Sequence, residues 1–146
     1  MPSEPPRLNA FITLNIIEEA LAISNETGER WAVADVLRIK AGLLQASGRA
    51  AADEIENLLI KSLETARSQH ALSWQLRTAC DLARLRQGQG RGDEGLTLLQ
   101  SIYDQFTEGF STADLIRARA LLEGLRANSV DKVAKDQSRA DAATAD

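Results

Sequence analysis

Apolar residues recur at every third or fourth position along most of the chain, which is the spacing of one face of an α-helix. Five breaks, four of which contain glycine, divide this pattern into six stretches. Their limits predict helices at about residues 8–26, 29–46, 51–68, 72–87, 93–107 and 112–127. Proline occurs only within the first six residues, so it interrupts none of the later stretches. The pattern therefore predicts an all-α fold.

Two segments of the chain are near copies of each other. Residues 31–49 read WAVADVLRIKAGLLQASGR and residues 74–91 read WQLRTACDLARLRQGQGR, and their Gly-Arg pairs lie 42 residues apart. A second apolar stretch follows each copy. A helix-turn-helix unit repeated at this period is typical of an α-solenoid, whose units bury their apolar faces by stacking on one another. We therefore expect about six antiparallel helices and an extended surface for a partner.

The distribution of apolar residues also predicts the limits of the folded part. Residues 1–7 are proline-rich, and we expect them to form a disordered N-terminus. Residues 8–127 form the predicted helical repeat domain. Residues 128–146 contain two valines and no larger apolar side chain, too little to offset the entropy lost on ordering. We therefore expect a flexible or frayed helical tail.

The first predicted helix has two apolar stripes, and ordered chain follows it on its C-terminal side only. One stripe contains Leu14, Ile17 and Leu21, and the other contains Ile12, Ile16, Ala20 and Ile23. One stripe should therefore face water, and an exposed apolar patch of this kind is typical of an interface. Because a two-fold dimer is the commonest way to cover such a patch, we predict self-association. Its candidate residues are Ile12, Leu14, Ile16, Ile17 and Leu21. The alternative is that a preceding helix of a longer protein covers the patch.

Composition and charge narrow the classes of function. The net charge is −4, so general binding to a phosphate backbone is disfavoured and nucleic acid is a weak alternative. Cys80 is the only cysteine and His70 the only histidine, which excludes an internal disulfide and a Cys/His metal cluster. No apolar run approaches the roughly 18 residues of a membrane span. We expect a cytoplasmic protein with no membrane segment, no bound metal and no cofactor.

No group of residues has the pattern of a catalytic site. The glycine-rich segment 88–92 follows a predicted helix rather than a strand, and no Lys-Ser/Thr pair follows it. We therefore interpret it as a helix-helix turn rather than a phosphate-binding loop. Cys80 lies within a predicted helix, where a lone cysteine is typically a small packed residue. The sequence therefore predicts no enzymatic activity.

Charged residues at related positions of the two repeats are candidates for binding a partner. Arg77 and Arg84 are seven residues apart and so lie on one face of the fourth predicted helix. Asp35 and Arg38 lie on the corresponding face of the preceding repeat. We expect these faces to line the concave side of the solenoid, where arginine would recognise an acidic peptide or a carboxylate. The alternative is a solvated helix face without a binding role.

Each repeat also opens with a tryptophan, Trp31 in the first and Trp74 in the second. We interpret both as residues that pack between repeats. The alternative is that they anchor a partner at the edge of a groove, since tryptophan is enriched at binding hot spots.

Parts of the repeats resemble a known class of bacterial sequence. The resemblance is carried by TGERW at residues 27–31, SWQLRTACDLARL at residues 73–85 and FTEGFSTADL at residues 106–115. These segments are similar to the C-terminal tetratricopeptide-repeat-like (TPR-like) region of large bacterial regulators. Those regulators also carry an ATPase domain and a nucleotide-cyclase or winged-helix domain. The resemblance extends over about residues 14–125 and implies a TPR-like α-α superhelix.

Two functions stay open from the sequence. The first is a protein–protein interaction module, a TPR-like scaffold that binds a peptide or partner domain through its concave face. The alternative is a regulatory C-terminal segment that couples a partner to a nucleotide cyclase or signalling ATPase. The chain itself has no P-loop and no cyclase motif, so the catalytic parts of the resembling regulators are not carried over.

Overall fold

The computed structural model describes residues 6–28 and 30–145, with side chains from Phe11 onward. These residues form six α-helices and no strand, which confirms the predicted all-α class. The helices are α1 (Pro6–Thr27), α2 (Val33–Ser47), α3 (Ala52–Ser68), α4 (Leu72–Gly88), α5 (Gly92–Tyr103) and α6 (Ala113–Ala143).

At both ends of the chain a helix extends beyond its predicted bounds. Pro6 and Arg7 belong to α1, and the rest of the segment predicted to be disordered lies outside the described residues. At the other end, α6 does not stop near residue 127 but continues to Ala143. Its side chains from Val130 onward are all exposed, so packing does not hold this part in helical form. No glycine or proline follows Gly124, alanine is frequent, and Gln137 Nε2 donates to Asp141 Oδ1 at 3.2 Å one turn later.

The helices group into two compact units, one up to Thr78 and one from Ala79 onward, so the boundary falls within α4. In the first unit α1 packs against α2, and α2 packs against α3. Small side chains allow the close approach of α2, since Ala34 and Ala41 are fully buried. Leucine and isoleucine fill the space between α2 and α3, where the buried residues are Leu37, Ile55, Leu59 and Leu63.

A buried hydroxyl connects three helices of this first unit. Ser62 of α3 is fully buried and donates its hydroxyl hydrogen to the carbonyl oxygen of Ala34 in α2 at 2.6 Å. The Ser62 hydroxyl oxygen also lies 2.9 Å from Thr78 Oγ1 in α4, and Thr78 is buried as well. Both hydroxyls are thereby hydrogen-bonded inside an apolar core, as buried polar groups must be.

We expect Ser62→Ala to lower the free energy of unfolding by about 1–3 kcal/mol, because it leaves the Thr78 hydroxyl buried without this partner. Adding Thr78→Val should recover part of that loss, since the second change removes the unsatisfied group. Urea denaturation of the two single variants and the double variant measures the coupling. Ser68→Ala is the matched control, because Ser68 is exposed and bonds only within its own helix turn. Strictly additive losses would contradict a shared hydrogen bond.

In the second unit α5 packs against α6, and α5 also approaches the C-terminal half of α4 closely. The close approach lies at Gly95 and Ala83, where an added Cβ on Gly95 would lie 2.8 Å from Ala83 Cα. Both residues are buried. The core around them is aliphatic and includes Leu82, Leu99, Ile102, Leu115, Ala118, Leu122 and Leu125.

The two Gly-Arg pairs of the near-repeat both follow helices. Gly48 has a φ of 64° and follows α2, and Gly90 has a φ of 76° and lies just after α4. Glycine adopts this left-handed conformation without steric cost, which suits it to the position after a helix. The backbone conformation therefore confirms that segment 88–92 is a turn between two helices.

Candidate interaction surfaces

The second apolar stripe of α1 faces solvent along its whole length. We call this set of four residues, Ile12, Ile16, Ala20 and Ile23, the α1 outer stripe. Its isoleucines are 47%, 59% and 52% exposed in chain order, and Ala20 is also exposed. Large apolar side chains exposed in a contiguous row on one helix are unusual for a surface without a partner.

The first stripe of α1 points toward the rest of the unit. Leu14 is buried, and Ile17 and Leu21 are half-buried, while α1 packs against α2. The salt bridge from Lys40 Nζ in α2 to Glu18 Oε1, at 3.1 Å, fixes the same side of the helix. The structure therefore separates the predicted self-association residues. Ile12 and Ile16 remain available to a partner, whereas Leu14 is occupied within the chain.

Charge is distributed unevenly around the outer stripe. Near its N-terminal end the guanidinium carbon of Arg49 lies 5.5 Å from the centroid of the Phe11 ring, within the range of a cation–π contact. Toward the C-terminal end Glu19 and Glu26 are exposed, and the last carbonyl groups of α1 add partial negative charge. The stripe is thus apolar along its length and acidic at its Ile23 end.

Asp35 and Arg38, predicted to bind a partner, form an ion pair within α2. Arg38 Nε donates to Asp35 Oδ1 at 3.0 Å, and the Arg38 Nη2 atom is 2.9 Å from the same oxygen. Both side chains are about a quarter exposed. Arg38 is therefore partly neutralised by its neighbour, and a partner carboxylate would have to compete with Asp35 for it.

Arg77 and Arg84 both lie on α4 but belong to different units. Arg77 is half-buried within the first unit, and Arg84 is exposed within the second. Arg84 Nη1 donates to Asp81 Oδ1 at 3.3 Å, one turn earlier on the same helix. This pair repeats the arrangement of Asp35 and Arg38. The common concave face predicted for these arginines stays a prediction.

The two tryptophans occupy different environments. Trp74 is half-buried within α4, but Trp31 is 71% exposed and lies before α2, which begins only at Val33. The interpretation of Trp31 as a residue packed between repeats is therefore wrong. Arg30, beside Trp31, is held by Gln69, whose Nε2 atom donates to the Arg30 carbonyl at 2.5 Å. The Trp31 indole itself lies on the surface of the first unit.

Sequence reasoning missed some exposed apolar residues. Ile23 was recognised as part of a stripe but not as a site residue, although it lies seven positions after Ile16. In the second unit Phe110 and Ile116 are about half exposed, and the Phe110 ring lies 6.0 Å from the Tyr103 ring. No periodic signal marks Phe110, because it lies in the loop between α5 and α6.

Several reactive or ionisable side chains of the described residues are buried or are held by a neighbouring side chain. Cys80 is buried within α4. Arg91 donates to both carboxylate oxygens of Glu94, at 3.0 and 2.7 Å, and this hydrogen bonding holds the pKa of Glu94 below its ordinary value. Beside this turn Ser129 donates to Asp93 Oδ1 at 2.8 Å. Over residues 6–28 and 30–145, no three His, Cys, Asp or Glu side chains are grouped to hold a metal ion.

In the same part of the chain, no helix has the length and apolar character that crossing a membrane requires. No protein-family model matches the chain, and no match was found among curated proteins or solved structures.

Proposed function

We propose that the chain is a protein–protein interaction module, a TPR-like helical scaffold that binds a peptide or a partner protein domain. The near-repeat of residues 31–49 and 74–91 supports the TPR-like arrangement, as does the resemblance of residues 14–125 to TPR-like regions of bacterial regulators. Helical repeats of this kind present extended surfaces to partners rather than enclosed sites for chemistry.

The observation that carries the proposal is the α1 outer stripe. Ile12, Ile16 and Ile23 form an apolar row on a helix whose opposite side is already packed. A helix face that only meets water is typically polar. Isoleucine on that face favours removal from water, and binding of another protein is the direct way to achieve this.

Site-specific photo-crosslinking in the source cell tests the proposal. A photo-reactive residue at Ile16 should capture one defined protein, and the same residue at Lys135 on the exposed end of α6 should capture none. Adding Ile12→Asp to the Ile16 crosslinker should abolish the capture without lowering Tm. In a parallel experiment, the crosslinker at Ile16 is combined with charge reversal at Arg77 and Arg84. Weaker capture by this variant would mean that the predicted concave face also belongs to the binding surface. If every labelled position captured only the same non-specific background proteins, the proposal of an interaction module would be refuted.

A second candidate function rests on the resemblance alone. A regulatory segment of this class would couple a partner to a nucleotide cyclase or signalling ATPase. Identification of the protein captured at Ile16 discriminates the two candidates. A captured cyclase or ATPase, whose turnover changes when the chain is added, would favour regulation, whereas a captured protein without such a domain would favour a scaffold.

A further inference from the structure

We propose that the α1 outer stripe binds an amphipathic helix of a partner protein whose basic residues lie over the Ile23 end of the stripe. This inference rests on the proposed function, because it names the kind of partner that an interaction module of this shape and charge would bind.

The spacing of the stripe identifies the shape of the partner. Ile12, Ile16, Ala20 and Ile23 follow one another at intervals of four, four and three residues, so they form one row along α1. At 1.5 Å per residue the row is roughly 16 Å long, or three helical turns. The side chains of this row would then pack into the grooves between side chains of the partner helix.

Recognition of an extended peptide fits this surface less well. Addition of a strand requires an exposed sheet edge, and the described residues contain none. Binding of a proline-rich peptide requires a groove lined with aromatic side chains, whereas this row is aliphatic. A helix that offers apolar anchors at intervals of three and four residues matches the row.

The charges beside the row identify the chemistry of the partner. Glu19 is exposed and lies about one helical turn after Ile16 and one turn before Ile23. Glu26 follows three residues after Ile23. The C-terminal end of the α1 dipole adds negative potential at the same place. From Phe11 to Thr27, α1 carries three acids and no base, and only Glu18 of the three is bridged to Lys40. Lysine or arginine flanking the partner's apolar row would therefore be attracted to the Ile23 end.

A second copy of the chain is a poorer occupant on the same grounds. Antiparallel two-fold pairing of the row would set Ile12 opposite Ile23 of the other copy and Glu19 opposite Ile16. The two Glu19 carboxylates would then lie near the two-fold axis, where like charges repel and each lies over an isoleucine.

Two model peptides test the inference on the full chain. Each is a labelled helix of about 14 residues with leucine at intervals of three and four, flanked by lysine in one peptide and by glutamate in the other. Fluorescence anisotropy should detect binding of the lysine peptide and at least tenfold weaker binding of the glutamate peptide. Ile16→Asp should weaken binding of the lysine peptide at least tenfold. Ile116→Asp, at a similarly exposed isoleucine of α6, should leave it unchanged.

Charge reversal separates specific recognition from general attraction to an acidic protein. The double variant Glu19→Lys with Glu26→Lys should bind the glutamate peptide more tightly than the lysine peptide. The double variant Glu108→Lys with Glu123→Lys has the same net charge but should keep the preference for the lysine peptide. If both double variants weaken binding equally, or if Ile16→Asp has no effect, the inference is wrong. A dimer seen by light scattering and dissociated by Ile16→Asp would also overturn it, because a second copy would then occupy the stripe.

Failure of the inference is distinguishable from failure of the proposed function. If photo-crosslinking at Ile16 captures a defined protein that lacks a basic amphipathic helix, the interaction module stands and the partner class is wrong. If no position on the chain captures a partner, the proposed function itself fails.

Discussion

Gly95→Ala is expected to destabilise the second unit by about 1–3 kcal/mol, although the same change normally stabilises a helix. The new Cβ would lie 2.8 Å from Ala83 Cα and 3.0 Å from the Ala83 carbonyl oxygen. Both are backbone atoms, so no side-chain rotation relieves the overlap and α4 and α5 must move apart. Ala83 is fully buried, so its surroundings lack space for that movement.

Gly124→Ala is the matched control for this change. Gly124 also lies within a helix of the second unit, but an added Cβ would meet nothing within 4 Å. It should therefore raise the free energy of unfolding by up to about 1 kcal/mol, through the better helix propensity of alanine. Thermal and urea denaturation of the two variants should thus shift in opposite directions. Equal stabilisation by both would mean that α4 and α5 do not approach each other at Gly95.

Sequence analysis located α3 and α4 to within one residue at each end, although only α3 of the two has acids in its first turn. For α3, the predicted residues 51–68 compare with Ala52–Ser68, and acids occur in its first turn and Arg67 in its last. For α6, the apolar pattern stops near residue 127 but the helix continues to Ala143. Loss of apolar periodicity indicates the end of packing, whereas the helix itself ends only where a residue or cap terminates it.

The exposed surfaces could not be predicted fully from the sequence, because they depend on which residues pack against a neighbouring helix. Both stripes of α1 were visible from their spacing, but only packing against α2 decides that Leu14 is buried and Ile16 exposed. Repeat equivalence suggested similar positions for Trp31 and Trp74. The later start of α2 leaves Trp31 outside the helix, so the equivalence fails there. The role of Gly95 follows only from its distance to Ala83.

Leu14→Asp is expected to lower the free energy of unfolding of the first unit by on the order of 3 kcal/mol, because it places a charge on the packed side of α1. Ile16→Asp, two positions away in the same helix, should change it by less than about 1 kcal/mol. Leu14 is 8% exposed and Ile16 is 59% exposed, so the two variants share helix propensity and charge and differ mainly in burial. Chemical denaturation gives the two values, and hydrogen exchange in α1 shows whether Leu14→Asp releases that helix alone.

The same pair of variants also supports the binding experiments. If Ile16→Asp folds with wild-type stability, its loss of peptide binding reflects the α1 outer stripe and not a disrupted helix. If instead Ile16→Asp is the more destabilising of the two, then α1 packs through the opposite side from the one described, and Leu14, Ile17 and Leu21 form the exposed row. The binding surface would in that case be the first stripe, because an α1 that packs on only one side leaves the other apolar row to a partner.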